Sequence, residues 1–133
     1  MSPAPADRAA ASAREVLLGI GLPDGPDRVG DAPVVLDQDA GRRWRGMVVA
    51  DRTLGLALEC IRTGAVEVEP PTLEELVASQ RRSAAVALML EARLVEVVDR
   101  LEAAGIDHRV LKGPALAHTA YPDASWREFG DID

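Results

Sequence analysis

The chain has 133 residues, 47% hydrophobic but only 3% aromatic, so one domain, or a domain with an arm, must build its core from Leu, Val and Ala. A net charge of −7 and a pI near 4.8 argue against a broad phosphate-binding face for DNA or RNA. They leave room for a nucleotide held through a metal, because carboxylates recruit the cation and the cation recruits the phosphate.

Residues 1–6 are Pro/Ala-rich and read as disordered. The leading stretch "MSPAPADRAAASAR" lacks the basic region and apolar core of a signal peptide. A short helix is expected from Asp7, its N-cap, with Val16, Leu17 and Ile20 on one side. "GLPDGPDRVGDAP" then breaks any helix, and "VVL" at 34–36 has the makings of a short extended piece.

Residues 40–51 read as a helix with Trp44, Met47 and Val48 at i, i+3, i+4, and 53–63 as a second one ended by Gly64. Cys60 lies in the apolar "LALECI"; being alone it forms no internal disulfide, and it reads as an inert buried thiol in a reducing compartment. "VEVEPPT" is an extended connector. "TLEE" from Thr72 is a capping box with Glu75, and the helix it opens runs to about Ala104, where Gly105 is the stop. Arg81, Arg82, Arg93 and Arg100 form its solvated or salt-bridged face. No apolar run approaches the roughly 20 residues that span a bilayer, so the expected location is cytoplasmic.

Beyond Gly105 the character changes. "IDHRVL" has strand length, "KGPALAHTAY" offers Gly113 as N-cap and Pro114 in a first helical turn, "PDAS" turns, and "WREFGDID" enters a second strand. In a strand, Asp131 and Asp133 share a face while Ile132 points to the other, with Cα atoms about 6.5–7 Å apart. Two like charges so close make sense around a divalent cation such as Mg²⁺; a solvated acidic chain end is the plainer alternative. Lys112 is the only lysine among fifteen basic residues, and it stands where a helix start offers N–H groups and a positive dipole end to an anion. A surface lysine before an ordinary cap is the alternative there. His108 and His118 are not a metal pair, since nothing places them together; Tyr121 packs the short helix.

The joint order of these pieces is more specific than any one. "LEAAGIDHRVLKGPALAHTAYPDASWREFGDID" resembles the conserved block of the uncharacterised nucleotidyltransferase family of the polymerase-β-like superfamily, closely over 101–133 and more loosely upstream. The resemblance implies that Asp131 and Asp133 hold Mg²⁺ on a nucleoside triphosphate (NTP). It places Lys112 and Gly113 at a phosphate-cradling turn, and Arg127 near phosphate or in a structural pair with the acidic strand. The implied reaction moves a nucleotidyl group to an unidentified hydroxyl acceptor. The fold it implies is α+β and predominantly helical: a flexible or partly helical arm over 1–38, a helical region over 39–104, and over 105–133 the first strand-helix-strand of the nucleotidyltransferase sheet. Family members carry a third carboxylate on a later strand, so this chain is expected to be truncated and inactive. Two other readings stand beside it: an interaction or dimerisation module joined through an open sheet edge, and a nucleotide-binding regulator without turnover.

Overall fold

The computed structural model describes residues 4–20 and 32–132. The expectations for residues 1–3, for the break at 21–31, for the side chain of Ile20 and for Asp133 lie outside that range. About 70% of the described chain is helical, with one small sheet, which is the predominantly helical α+β class expected. Two compact units divide at Ser79/Gln80.

The first unit holds α1 (Pro5–Ile20), β1 (Val34–Leu36), α2 (Gln38–Ala50), α3 (Leu54–Arg62), β2 (Val66–Val68) and the start of α4 (Pro70–Ala103). β1 and β2 pair in parallel, Val34 opposite Val66 and Leu36 opposite Val68, joined by the α2–α3 crossover. A ladder this short persists because one face is covered: Leu36 and Val66 are buried. Ala10, Ala13 and Leu17 of α1 join Trp44, Val48, Cys60 and Leu76 in the core. α2 starts at Asp37, whose carboxylate accepts from the N–H of Ala40 at 2.8 Å. α3 ends as its glycine demands: Gly64 takes φ 77°, and Ala65 N–H returns to the Cys60 carbonyl at 2.9 Å. Burial, and then Glu59, push the Cys60 thiol up to about 12, so it stays protonated and inert at neutral pH.

α4 begins two residues before the expected capping box. Pro70 and Pro71 occupy its first turn, where a missing N–H costs nothing, and the Glu69 carbonyl accepts from Thr72 N–H at 3.0 Å. Thr72 is instead buried against α2: a Cβ on Gly41 would stand 2.7 Å from Thr72 Oγ1. Gly41→Ala is therefore expected to lose about 1–2 kcal/mol, overpacking exceeding the gain in helix propensity. Thr72→Ala in the same chain should recover most of that loss in urea denaturation. The basic run on α2 is already engaged, Arg42 with Asp39 and Arg43 with Asp7. Arg45 Nε lies 2.7 Å from Glu75 Oε2 as a charge contact without hydrogen-bond alignment.

The second unit contains the rest of α4, α5 (Gly113–Ala120) and a 3-10 turn (Ala124–Trp126). α4 stops at Gly105, φ 68°, with Ile106 N–H returning to the Leu101 carbonyl at 2.9 Å. The Arg face of α4 is exposed as expected, and Arg93 pairs with Glu96 at 2.7 Å. The two C-terminal strands are not formed among the described residues: 106–111 and 127–132 make no ladder. Ile106, Asp107, Arg109 and Leu111 are exposed, so the segment has no covered face to reward pairing. No described helix is long and apolar enough to cross a membrane.

Candidate functional site

The chemistry-bearing residues of the second unit gather around the start of α5. Lys112 occupies the N-cap with φ 54° and ψ −124°, a corner that favours glycine. Gly113, expected as the cap, is the first helical residue. The Lys112 carbonyl opens the helix, accepting from Leu116 N–H at 2.7 Å. The N–H groups of Gly113 and Ala115 have no intrahelical acceptor, and Pro114 between them has no N–H. Lys112 is exposed at this positive end.

Gly113 is buried against the acidic segment. A Cβ there would lie 3.2 Å from Phe129 Cβ, 3.3 Å from Phe129 Cγ and 3.3 Å from the Asp131 carbonyl oxygen. The Lys-Gly turn and the Asp131 backbone are thus neighbours, and the Asp131 side chain is exposed. Asp133, the partner expected for it, lies outside the described residues. Among those described, no group of three or more His, Cys, Asp or Glu is placed to hold a metal.

Arg127 stands elsewhere. It is half-buried on the lining of an open groove of about 250 Å³, with Gln80, Ser83, Leu88, Ala124 and Phe129, and its Nε has no partner. Three bonds seat the segment beneath it. Gln80 Nε2 donates to the Ser125 carbonyl at 3.0 Å, Ser83 Oγ donates to Glu128 at 3.2 Å, and the Asp123 carboxylate accepts from Ser125 N–H at 2.8 Å. Hydrogen bonds from the Ser125 side chain and backbone hold the Asp123 carboxyl below its ordinary value. His118 is exposed on α5 with Nε2 2.8 Å from Glu91 Oε1, and His108 Nδ1 is 3.1 Å from the Ile106 carbonyl. Phe129 is the residue that sequence reasoning passed over; its only signal was being the one phenylalanine, two places before Asp131.

The Lys112–Gly113 turn at the start of α5 is thus set against the segment that carries Asp131, in a chain of predominantly helical α+β class. The model of the family described as uncharacterised nucleotidyltransferase matches residues 43–133, and the chain belongs to that family. The match reaches back into α2, so it takes in the helical region as well as the C-terminal block. No curated protein and no solved structure matches the chain.

Proposed function

We propose that the second unit binds a nucleoside triphosphate as its Mg²⁺ complex, in the service of nucleotidyl transfer to a hydroxyl acceptor. One observation supports this reading: the residue expected at the phosphate turn, Gly113, lies next to the backbone of Asp131, a residue expected to hold the metal. Lys112 meets phosphate charge as a mobile ammonium, and the N–H groups of Gly113 and Ala115 add oriented donors. Asp131 and Asp133 offer hard oxygen ligands, the set that Mg²⁺ prefers. Mg²⁺, when bound there, supplies neutralisation of the phosphate charge. The buried, lone Cys60 suits a reducing, cytoplasmic setting.

Transfer also needs a group to take the proton of the attacking hydroxyl, and the described residues place no third carboxylate with Asp131. On this proposal the 133-residue chain is expected to be a binder without turnover, which experiment decides. Calorimetry with ATP and Mg²⁺ should give a saturable heat, while radiolabelled NTP should show no Mg²⁺-dependent transfer. Absence of heat at millimolar ligand removes the binding reading; robust transfer removes the claim of inactivity.

A second reading has its own observation. Leu88, Met89, Val95 and Leu111 of the second unit are each more than half exposed, at 67%, 71%, 58% and 57%. Apolar side chains left this exposed are what a dimerisation or partner-binding module would cover, so such a module fits them. Light scattering decides: a monomer at high concentration counts against self-association.

A further inference from the structure

The phosphate-type turn is held in a costly shape by something other than its own sequence. Lys112 has a positive φ of 54°, which a residue with a Cβ resists. Its neighbour Gly113 is not open to solvent but faces Phe129 and the Asp131 carbonyl within van der Waals reach. Phe129 is 7% exposed, the most buried side chain described between Ala117 and Ile132. One part of it lines the groove beside α4; its Cβ and Cγ stand 3.2 and 3.3 Å from where a Cβ on Gly113 would be. The segment that carries it is tied to α4 by the bonds from Gln80 and Ser83. A rigid aromatic, anchored behind and in contact in front, sets how near the turn stands to the following aspartate.

We propose that Phe129 is a positioning residue: wedged against Gly113, it fixes the spacing between the Lys112–Gly113 turn and the Asp131 backbone. Its use in binding NTP rests on the function proposed above; the spacing itself does not. Gly113 is the other half of the device, because a Cβ there would crowd Phe129 and the Asp131 carbonyl and push them back by a few tenths of an ångström. Leucine supplies the two atom positions that make the contact, Cβ and Cγ, whereas alanine supplies one. This gives a conservative variant that should restore function and a severe one that should not.

The test compares the wild-type chain with Phe129→Leu, Phe129→Ala and Gly113→Ala, by backbone amide NMR shifts, thermal melting and calorimetry with ATP and Mg²⁺. Phe129→Ala and Gly113→Ala should both move the Lys112, Gly113 and Asp131 resonances and weaken Mg²⁺-dependent ATP binding by at least about tenfold. Phe129→Leu should keep shifts and affinity near wild type even where its melting temperature falls. Resonances that stay in place in Phe129→Ala overturn the spacing role. If that variant fails to fold, unchanged Lys112 and Asp131 resonances in Gly113→Ala do the same. Wild-type affinity in variants whose resonances have moved overturns the role in binding. A wild-type chain without ATP heat brings down the function proposed above, and the NMR comparison still decides the spacing.

Discussion

Trp44→Ala is expected to lose about 3–5 kcal/mol of stability, a large share of the 5–15 kcal/mol that holds a typical domain. Trp44 has no exposed surface and is the largest fully buried side chain among the described residues. Its indole lies on α2 in the same core as Val48, Leu36 and Leu76, so its removal empties a space that no neighbour on a regular element can refill. The melting temperature should fall by at least about 10 °C. Phe at this position separates volume from polarity. The Trp44 Nε1 hydrogen has no acceptor among the described residues, and a buried donor without one costs about 1–3 kcal/mol. Trp44→Phe gives back that cost while leaving a smaller void, so it should lie within about 1.5 kcal/mol of wild type. Urea denaturation followed by far-UV circular dichroism measures both. A Phe variant as unstable as the Ala variant would show that the indole N–H is satisfied in solution.

The same residue shows what was legible in the sequence. Trp44, Met47 and Val48 announced a helix by their spacing, and Gly64 and Gly105 announced two helix ends through their need for positive φ. These signals are local, so a single sequence carries them. The start of α4 was misplaced because Pro70 and Pro71 have two local meanings, a break behind them and a first turn ahead, and only burial of Thr72 against Gly41 chooses. The strands at 106–111 and 127–132 failed for the converse reason. Their composition suits extended chain, but a strand exists only with a partner and a covered face, and propensity supplies neither. In the candidate site, Lys112, Gly113 and Asp131 stood out by their joint order along the chain, each being ambiguous alone. Phe129 did not, because the role proposed for it lies in its nearness to Gly113, and that nearness is absent from any pattern along the chain.

Asp131→Asn should abolish the Mg²⁺-dependent part of ATP binding while leaving the fold intact. The side chain is exposed and its carboxylate makes no ion pair among the described residues, so exchanging it for an isosteric amide removes charge and little else. An amide oxygen is a poorer Mg²⁺ ligand than a carboxylate, and Mg²⁺ dehydrates reluctantly, so losing one of two charged ligands should weaken binding by at least about tenfold. Asp133→Asn should behave in the same way. Lys112→Ala makes the contrast. On the proposed function its ammonium meets phosphate directly, so its loss should weaken ATP binding with Mg²⁺ and in EDTA alike. Titrating the wild type and the three variants with ATP, with and without Mg²⁺, therefore sorts the residues by role. The aspartate variants should converge on the wild type once the metal is chelated, and the lysine variant should not. An Asp131→Asn chain that keeps wild-type affinity in Mg²⁺ removes Asp131 from the metal site and returns it to the solvated acidic surface.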